Sequence, residues 1–318
     1  MRETEYAYGV ARIRANETSL LTKADLEQLI SAEGYKEVFR FLTGKGWEKS
    51  ESLDICENEL NKAWLLVREC APDANLLRAL VIGNDFTNVK AAIKATFSNI
   101  DPEGYMTSPN LCDPSIIIKA VNEKDFDILP DYLKDCADEA YHAISGGGNG
   151  QSAEMIIDKA ALEAKLEAAK EAESELLVKI ATLSCISANI KIAIRSARTG
   201  KTEQFALDSM CNIDSLDNDR LVKAAFAGEK LGTIIVEAGF PEIAEEADKD
   251  FNALEIKCDN LVTEWIESAK YLILGPDPII AYYYAKAAEV KNVRIILSAK
   301  AASIPTETIQ QRVREIYV

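Results

Sequence analysis

Histidine is nearly absent from this chain: His142 is the only one in 318 residues. A multi-histidine metal centre is therefore excluded. His142 has no obvious partner, adjoins a glycine-rich run and reads as a surface or hinge residue. Glycine (15) and proline (9) are too few for a β-rich protein, which needs many tight turns. The seven cysteines, at 56, 70, 112, 136, 185, 211 and 258, contain no C-x-x-C. They lack metal spacing and a redox motif, and read as reduced, mostly buried thiols. No long apolar run stands out. The least charged stretch, 271–285, is interrupted by Asp277 and two prolines, whereas a span needs about 20 apolar residues. Met1-Arg2-Glu3-Thr4-Glu5 lacks the basic-then-apolar order of a signal peptide, so a cytoplasmic chain with no direct membrane span is expected. Excess positive charge is missing too. The net charge of −16 argues against nucleic-acid binding through the whole surface and suits solubility or a basic partner.

What the chain does have is helix-forming composition. Apolar residues make up 48% and charged residues 28%, the balance of a globular protein, and Ala, Leu, Glu and Lys fill long stretches. An all-α fold is expected. Three segments share one pattern: Asn88-Val89-Lys90 with Ile93, Asn189-Ile190-Lys191 with Ile194, and Asn292-Val293-Arg294 with Leu297. The asparagines are 101 and 103 residues apart. Pro72 and Pro276 each stand 16 residues upstream of their asparagine, where proline breaks or starts a helix. The middle copy has Glu173 there, so its helix is expected to run on without a break.

Upstream of each breaker lies an apolar stripe with steps of three and four. The stripes are Leu53 to Cys70, Leu162 to Ile194 and Ala247 to Leu272. They are expected to pack against partner helices of the same chain. Further upstream, shorter helical pairs are expected over Asp25 to Leu42, Ser115 to Cys136 and Asp219 to Gly239. Their start signals are a Thr22–Asp25 capping box, Pro114 behind Asp113, and Asp219 as a cap. The chain thus divides into three pseudo-repeated helical units: 1–104, 105–201 with a flexible glycine-rich insert at 145–150, and 202–318 including a C-terminal tail. Related units packed side by side suggest an approximately threefold arrangement.

Charge follows the same register. Residues 86–100, 176–202 and 290–306 carry cations and no acid. Two explanations compete: basic patches that orient the molecule on a partner, and cations collecting at helix C-termini against the dipole. On the first, the partner-binding candidates are Arg12, Arg14, Lys90, Lys191, Arg195, Arg294 and Lys300. Arg312 and Arg314 fit internal packing as well.

Catalytic motifs fail on context. Thr199-Gly200-Lys201-Thr202 resembles the end of a phosphate-binding loop, but Arg195 stands where that motif needs glycine and a helix precedes it instead of a strand. Asp214, Asp217 and Asp219 lack the glycine and distal glutamate of a calcium loop and fit turn and cap roles. Tyr282, Tyr283 and Tyr284 fit packing. No catalytic residue, cofactor or metal is assigned. Two rival readings are a helical-repeat adaptor for an unrelated partner and, more weakly, an all-α enzyme with metal-binding carboxylates.

The two ends of the chain carry a resemblance. Tyr6-Ala7-Tyr8, Ala11 to Ala15, Glu17 and Leu20-Leu21 at the start resemble the opening of the C (or d) subunit family of V-type/A-type ATPases. The end resembles it further: Gly275-Pro276, Tyr282, Lys286, Glu289, Asn292 to Ile296, Ile309, Arg312, Arg314 and Tyr317-Val318. Asp85-x-x-Asn88-Val89-Lys90 matches the first unit. Ile186 departs from the acids Asp85 and Glu289 of the outer copies, and the 145–150 insert has no counterpart. The resemblance implies a funnel-shaped, non-catalytic protein of the central stalk, peripheral on the cytoplasmic face of the membrane. It further implies that the protein joins the shaft subunits D and F to the proteolipid ring during H⁺ or Na⁺ transport.

Overall fold

A computed structural model describes residues 3–49, 52–147 and 150–318, and no β-strand occurs among them. Helix α1 (Ala7–Glu17) opens the chain. A short pair, α2 (Lys23–Ser31) and α3 (Tyr35–Gly44), precedes a long pair, α4 (Asp54–Cys70) and α5 (Ala74–Ser98). The order recurs with α6 (Pro114–Glu123), α7 (Asp131–Ser145), α8 (Gly150–Glu171) and α9 (Glu175–Arg198). After α10 (Glu203–Ser209) come the short α11 (Asn218–Ala227), α12 (Gly232–Glu237) and α13 (Ala244–Ala247). The long α14 (Phe251–Glu267) and α15 (Asp277–Ala301) follow, and α16 (Thr306–Gln310) ends the series. Part of the glycine-rich insert, residues 148 and 149, lies outside the described residues.

The start signals act as read, with one exception. Thr22 and Asp25 form the capping box of α2, and Asp113 caps α6 with Pro114 at its first turn. The cap of α11 is Asp217, which accepts the Arg220 N–H, and not Asp219. The expected continuous middle helix is also corrected. It breaks between α8 and α9, where Glu173 is left-handed (φ 51°) and the Ser174 side chain accepts the Leu177 N–H at 3.2 Å. Ser174 does here what Asp73, directly after Pro72, does at the start of α5, where its side chain accepts the Asn75 N–H at 2.9 Å.

The three long helices that carry the repeated asparagine end alike. Eleven residues after Asn88, Asn189 and Asn292 stand Asn99, Gly200 and Ser303, all left-handed with φ of 53°, 67° and 54°. The next N–H, of Ile100, Lys201 and Ile304, returns to the carbonyl of Ala95, Ser196 and Ala299 at 3.0, 3.0 and 2.9 Å. This is the closed C-terminal turn that a left-handed residue permits.

The asparagines then hold the strap that follows. All three are fully buried. Asn88 donates from Nδ2 to the Thr107 carbonyl (3.0 Å) and accepts the Thr107 N–H at Oδ1 (2.6 Å). Asn189 does the same with Cys211 (2.9 and 3.2 Å), and Asn292 with Arg314 (2.9 and 2.7 Å). Asparagine is suited to this because one side-chain amide offers a donor and an acceptor with the geometry of a peptide.

Contacts divide the chain into two compact units, Met1–Leu77 with Glu255–Val318, and Arg78–Leu254. In the first, α4 packs along α15, with α1 against both. Gly9 of α1 lets the backbones approach: a Cβ there would lie 2.2 Å from the Cys70 carbonyl oxygen. One core joins Leu29, Val38, Leu42 and Ile55 from the start of the chain to Val293, Ile296, Ile309 and Ile316 from its end. Each fully buried side chain of this size contributes about 1.5–3 kcal/mol. In the second unit α8 packs along α7 and α9, while α10 and α11 also lie on α9.

Helix α9 corrects the reading that no segment resembles a membrane span. By length and composition it is apolar enough to cross one. Its apolar character has another use here, since Leu177, Ile180, Leu183, Ile186 and Ile190 are buried among its neighbours. Six of the seven cysteines are buried free thiols and Cys258 is half-buried.

Removing the Asn292 amide strands one buried N–H and one buried carbonyl, each costing about 1–3 kcal/mol, whereas removing that of Asn189 strands the Cys211 N–H alone, since Asn218 still donates to the Cys211 carbonyl at 3.0 Å. Asn292→Ala is therefore expected to lose about 2–4 kcal/mol of stability and Asn189→Ala about 1–3 kcal/mol. Urea unfolding followed by far-UV circular dichroism checks this; a loss under about 1 kcal/mol in both would contradict the strap's dependence on the amide.

Candidate protein-interaction surface

Three residues before each asparagine stand Asp85, Ile186 and Glu289. The two acids do equivalent work. Asp85, buried, accepts the N–H groups of Leu111 (3.0 Å) and Cys112 (3.1 Å) and the Tyr132 hydroxyl (2.5 Å). Cys112 immediately precedes Asp113, the cap of α6. Glu289, also buried, accepts the N–H of Leu21 (2.7 Å), and Leu21 immediately precedes Thr22, the cap of α2. Thus the acid on α5 grips the start of the second copy, and the acid on α15 grips the start of the first. Ile186 is fully buried and apolar, so the middle copy lacks this grip.

Burial pushes the Asp85 carboxyl above the usual carboxylate range, against the three hydrogen bonds that pull it down. Glu289 is likewise raised by burial, with Lys286 at 2.5 Å opposing. Lys286 is itself buried and lies 3.9 Å from Glu59, which pairs with Lys62 at 2.6 Å. A buried pair of this kind fixes register more than it adds stability.

The seven basic candidates fall in different surroundings. Arg14 is committed internally: it pairs with both Glu17 oxygens at 2.7 Å and donates to the carbonyls of Ala269 and Leu272, the latter at 2.8 Å. Lys300 donates to the Ile30 carbonyl at 2.6 Å. Arg12 pairs with Glu69 at 2.8 Å and lies over the Tyr8 ring. Lys90 pairs with Asp158 of α8. Exposed Arg294 sits beside the Cys56 thiol, which burial pushes up to about 11 while the guanidinium pulls it down.

Lys191 and Arg195 come together in a groove of about 440 Å³ between α8, α9 and α10. Half-buried Met155, Leu162, Ile192 and Phe205 give it an apolar floor, and Lys159 and Lys201 join the two expected cations at its edge. Arg195 and its neighbour Arg198 lie over the Phe251 ring at 5.7 and 5.4 Å. An acidic cleft of about 730 Å³ adjoins the groove, sharing Met155, Lys159 and Phe205 with it, and is edged by Asp131, Asp135, Glu139, Glu163, Glu167 and Asp208.

Sequence reasoning did not single out Lys159, Arg198, Lys201 or Phe205 as contact residues. Arg198 and Lys201 stood in the acid-free window over 176–202, which was the available signal. Lys159 and Phe205 gave none, because a groove between three helices has no spacing in the chain. The Thr199-Gly200-Lys201-Thr202 sequence is explained: Gly200 closes α9 and Thr202 caps α10 by accepting the Phe205 N–H. His142 does have a neighbour, Asp138, at 3.2 Å one helical turn away. Tyr282 and Tyr283 are buried, and Arg314 pairs with Asp259 at 2.8 Å.

The Asp85 geometry has a pH signature. A carboxyl whose folded-state pKa is raised contributes stability that is present below its unfolded value, about 4, and is lost as pH rises through the folded value. Asp85→Asn removes that loss. Relative to the wild type, the variant's unfolding free energy is expected to climb as pH rises above about 4. Urea titrations of both proteins across that range check it; parallel curves would contradict it.

The family model described as ATP synthase (C/AC39) subunit matches residues 9–312. The C subunit of the V-type sodium ATPase of Enterococcus hirae is 22% identical over 320 aligned residues, covering 96% of this chain and 97% of that protein. The matched region contains both acid grips, all three repeated asparagines and the helix pairs that present them. With nearly its whole length accounted for, this chain belongs to the ATP synthase (C/AC39) subunit family.

Proposed function

We propose that the chain is a non-catalytic central-stalk subunit of a V/A-type rotary ATPase. In this reading it couples the rotating shaft, subunits D and F, to the membrane proteolipid ring during ATP-driven or ATP-producing transport of H⁺ or Na⁺. The observation that carries the reading is the family match across residues 9–312. A V-type ATPase subunit works within a membrane-associated complex, with other ATPase subunits as partners. Peripheral attachment on the cytoplasmic face is part of the same proposal.

The local geometry suits such a role. A coupling body must resist twisting, so its connections should be held as firmly as its helices. The asparagine amides bind each strap at both a donor and an acceptor. The last copy also grips the first through Glu289 and Leu21, as the first grips the second through Asp85 and Cys112. Grips at two of the three junctions fit three units, 1–104, 105–201 and 202–318, in an approximately threefold, funnel-shaped arrangement. Lys90, Lys191, Arg195, Arg294, Lys300, Arg12 and Arg14 remain candidates for partner contact, with Arg195 the most available and Arg14 the least.

An affinity-tagged full-length chain, expressed in its native host and purified from detergent-solubilised membranes, tests the reading. Shaft and ring subunits are expected to copurify, and deletion is expected to abolish ATP-driven ion uptake by inverted vesicles. Recovery of the chain with an unrelated partner, or unaltered uptake after deletion, would overturn it in favour of a helical-repeat adaptor.

A further inference from the structure

Positions two and six after each repeated asparagine carry Lys90 and Lys94, Lys191 and Arg195, and Arg294 and Ser298. In the first copy both cations are neutralised by α8, through Asp158 and Glu154. In the second, Arg195 has no carboxylate partner among the described residues, and neither does Arg198; both meet the Phe251 ring instead. Two of their neighbours at the groove, Lys201 and Lys159, rest on neutral acceptors. Lys201 Nζ meets Gln151 Oε1 at 3.2 Å and the Phe205 ring. Lys159 Nζ donates to the Asp208 carbonyl at 3.2 Å. The carboxylates that do line the groove, Glu154 and Asp158, are taken by Lys94 and Lys90.

This is unusual for a chain of net charge −16. A cavity of about 290 Å³ in the other unit is also lined by four cations, Arg12, Lys45, Lys62 and Lys286. Each of those has its own carboxylate: Glu69, Asp25, Glu59 and Glu289. At the α8–α9–α10 groove Lys159, Arg195 and Lys201 have no carboxylate partner among the described residues, and they stand around an apolar floor.

We propose that this groove docks an acidic, apolar-faced helical segment of another subunit of the ATPase, an inference that rests on the coupling reading above. The carboxylates of the segment would meet Lys159, Arg195, Arg198 and Lys201, and its apolar side chains would cover Met155 and Phe205. Recognition of an amphipathic helix in a groove has this form, with anchors on one face and charges at the rim. Charge complementarity sets the register and speeds encounter. An anionic lipid surface fits less well. The acidic cleft that adjoins the groove at Met155, Lys159 and Phe205 would be brought against the same broad surface, whereas a single segment passes along one groove only.

The test uses the intact complex. Phe205 is replaced by the photoreactive p-benzoylphenylalanine in the full-length tagged chain, the purified complex is irradiated, and the cross-linked peptide is sequenced by mass spectrometry. The expected product joins residue 205 to one peptide of another ATPase subunit with a clear excess of Asp and Glu. In the Arg195→Glu, Lys201→Glu background its yield is expected to fall at least tenfold at unchanged helicity. The charge-keeping Arg195→Lys, Lys201→Arg background is expected to retain it. A cross-link to a basic or neutral peptide, to lipid or to a second copy of this chain would overturn the proposal, as would an unchanged yield after charge reversal. An intact complex with no cross-link overturns the groove assignment alone. A chain that purifies without ATPase subunits overturns the coupling reading, and the groove assignment with it.

Discussion

A buried asparagine amide that satisfies both the N–H and the carbonyl of one residue is the interaction on which the rest of this structure depends. Helix ends are where a helical protein loses stiffness, because their last carbonyls have no partner within the helix. Here each long helix closes on a left-handed residue, and its asparagine then reaches across to pin the departing strap at Thr107, Cys211 or Arg314. The strap gains two hydrogen bonds in a place where unsatisfied polar groups would each cost a few kcal/mol. It becomes part of the helical framework rather than a loop beside it.

Around that device the copies differ in how they meet their surroundings. The outer two add an acid that holds the residue before the next helix cap, Cys112 in one and Leu21 in the other. The middle one has Ile186 there and relies on apolar burial along α9. It is also the copy whose Arg195 and Arg198 lack carboxylate partners among the described residues and whose flank is open as a groove. Loss of the internal acid and retention of free positive charge thus fall in the same third of the chain.

Much of this was legible in the sequence. The asparagine register, the proline breaks at Pro72 and Pro276, the Thr22–Asp25 and Asp113 caps and the all-helical class follow from local chemistry, which the chain states outright. The break at Glu173 did not, because glutamate seldom adopts a left-handed conformation and the cap that compensates, Ser174, looks like any surface serine. The choice of Asp217 over Asp219 depended on which carboxylate reached the Arg220 N–H. Of the contact residues, Arg14 and Lys300 looked like surface cations until their carbonyl partners, 255 to 270 residues away in sequence, were brought beside them. Non-local contacts of that kind have no spacing to read.

Amide hydrogen exchange measured residue by residue on the full-length chain tests the central idea most directly. If the asparagine amides make the straps part of the framework, the N–H groups of Thr107, Cys211 and Arg314 exchange as slowly as those in the middle of α5, α9 and α15. Exchange at the rate of exposed loops at all three positions would show that the straps are not held, and the account of a stiff helical framework would fail with them.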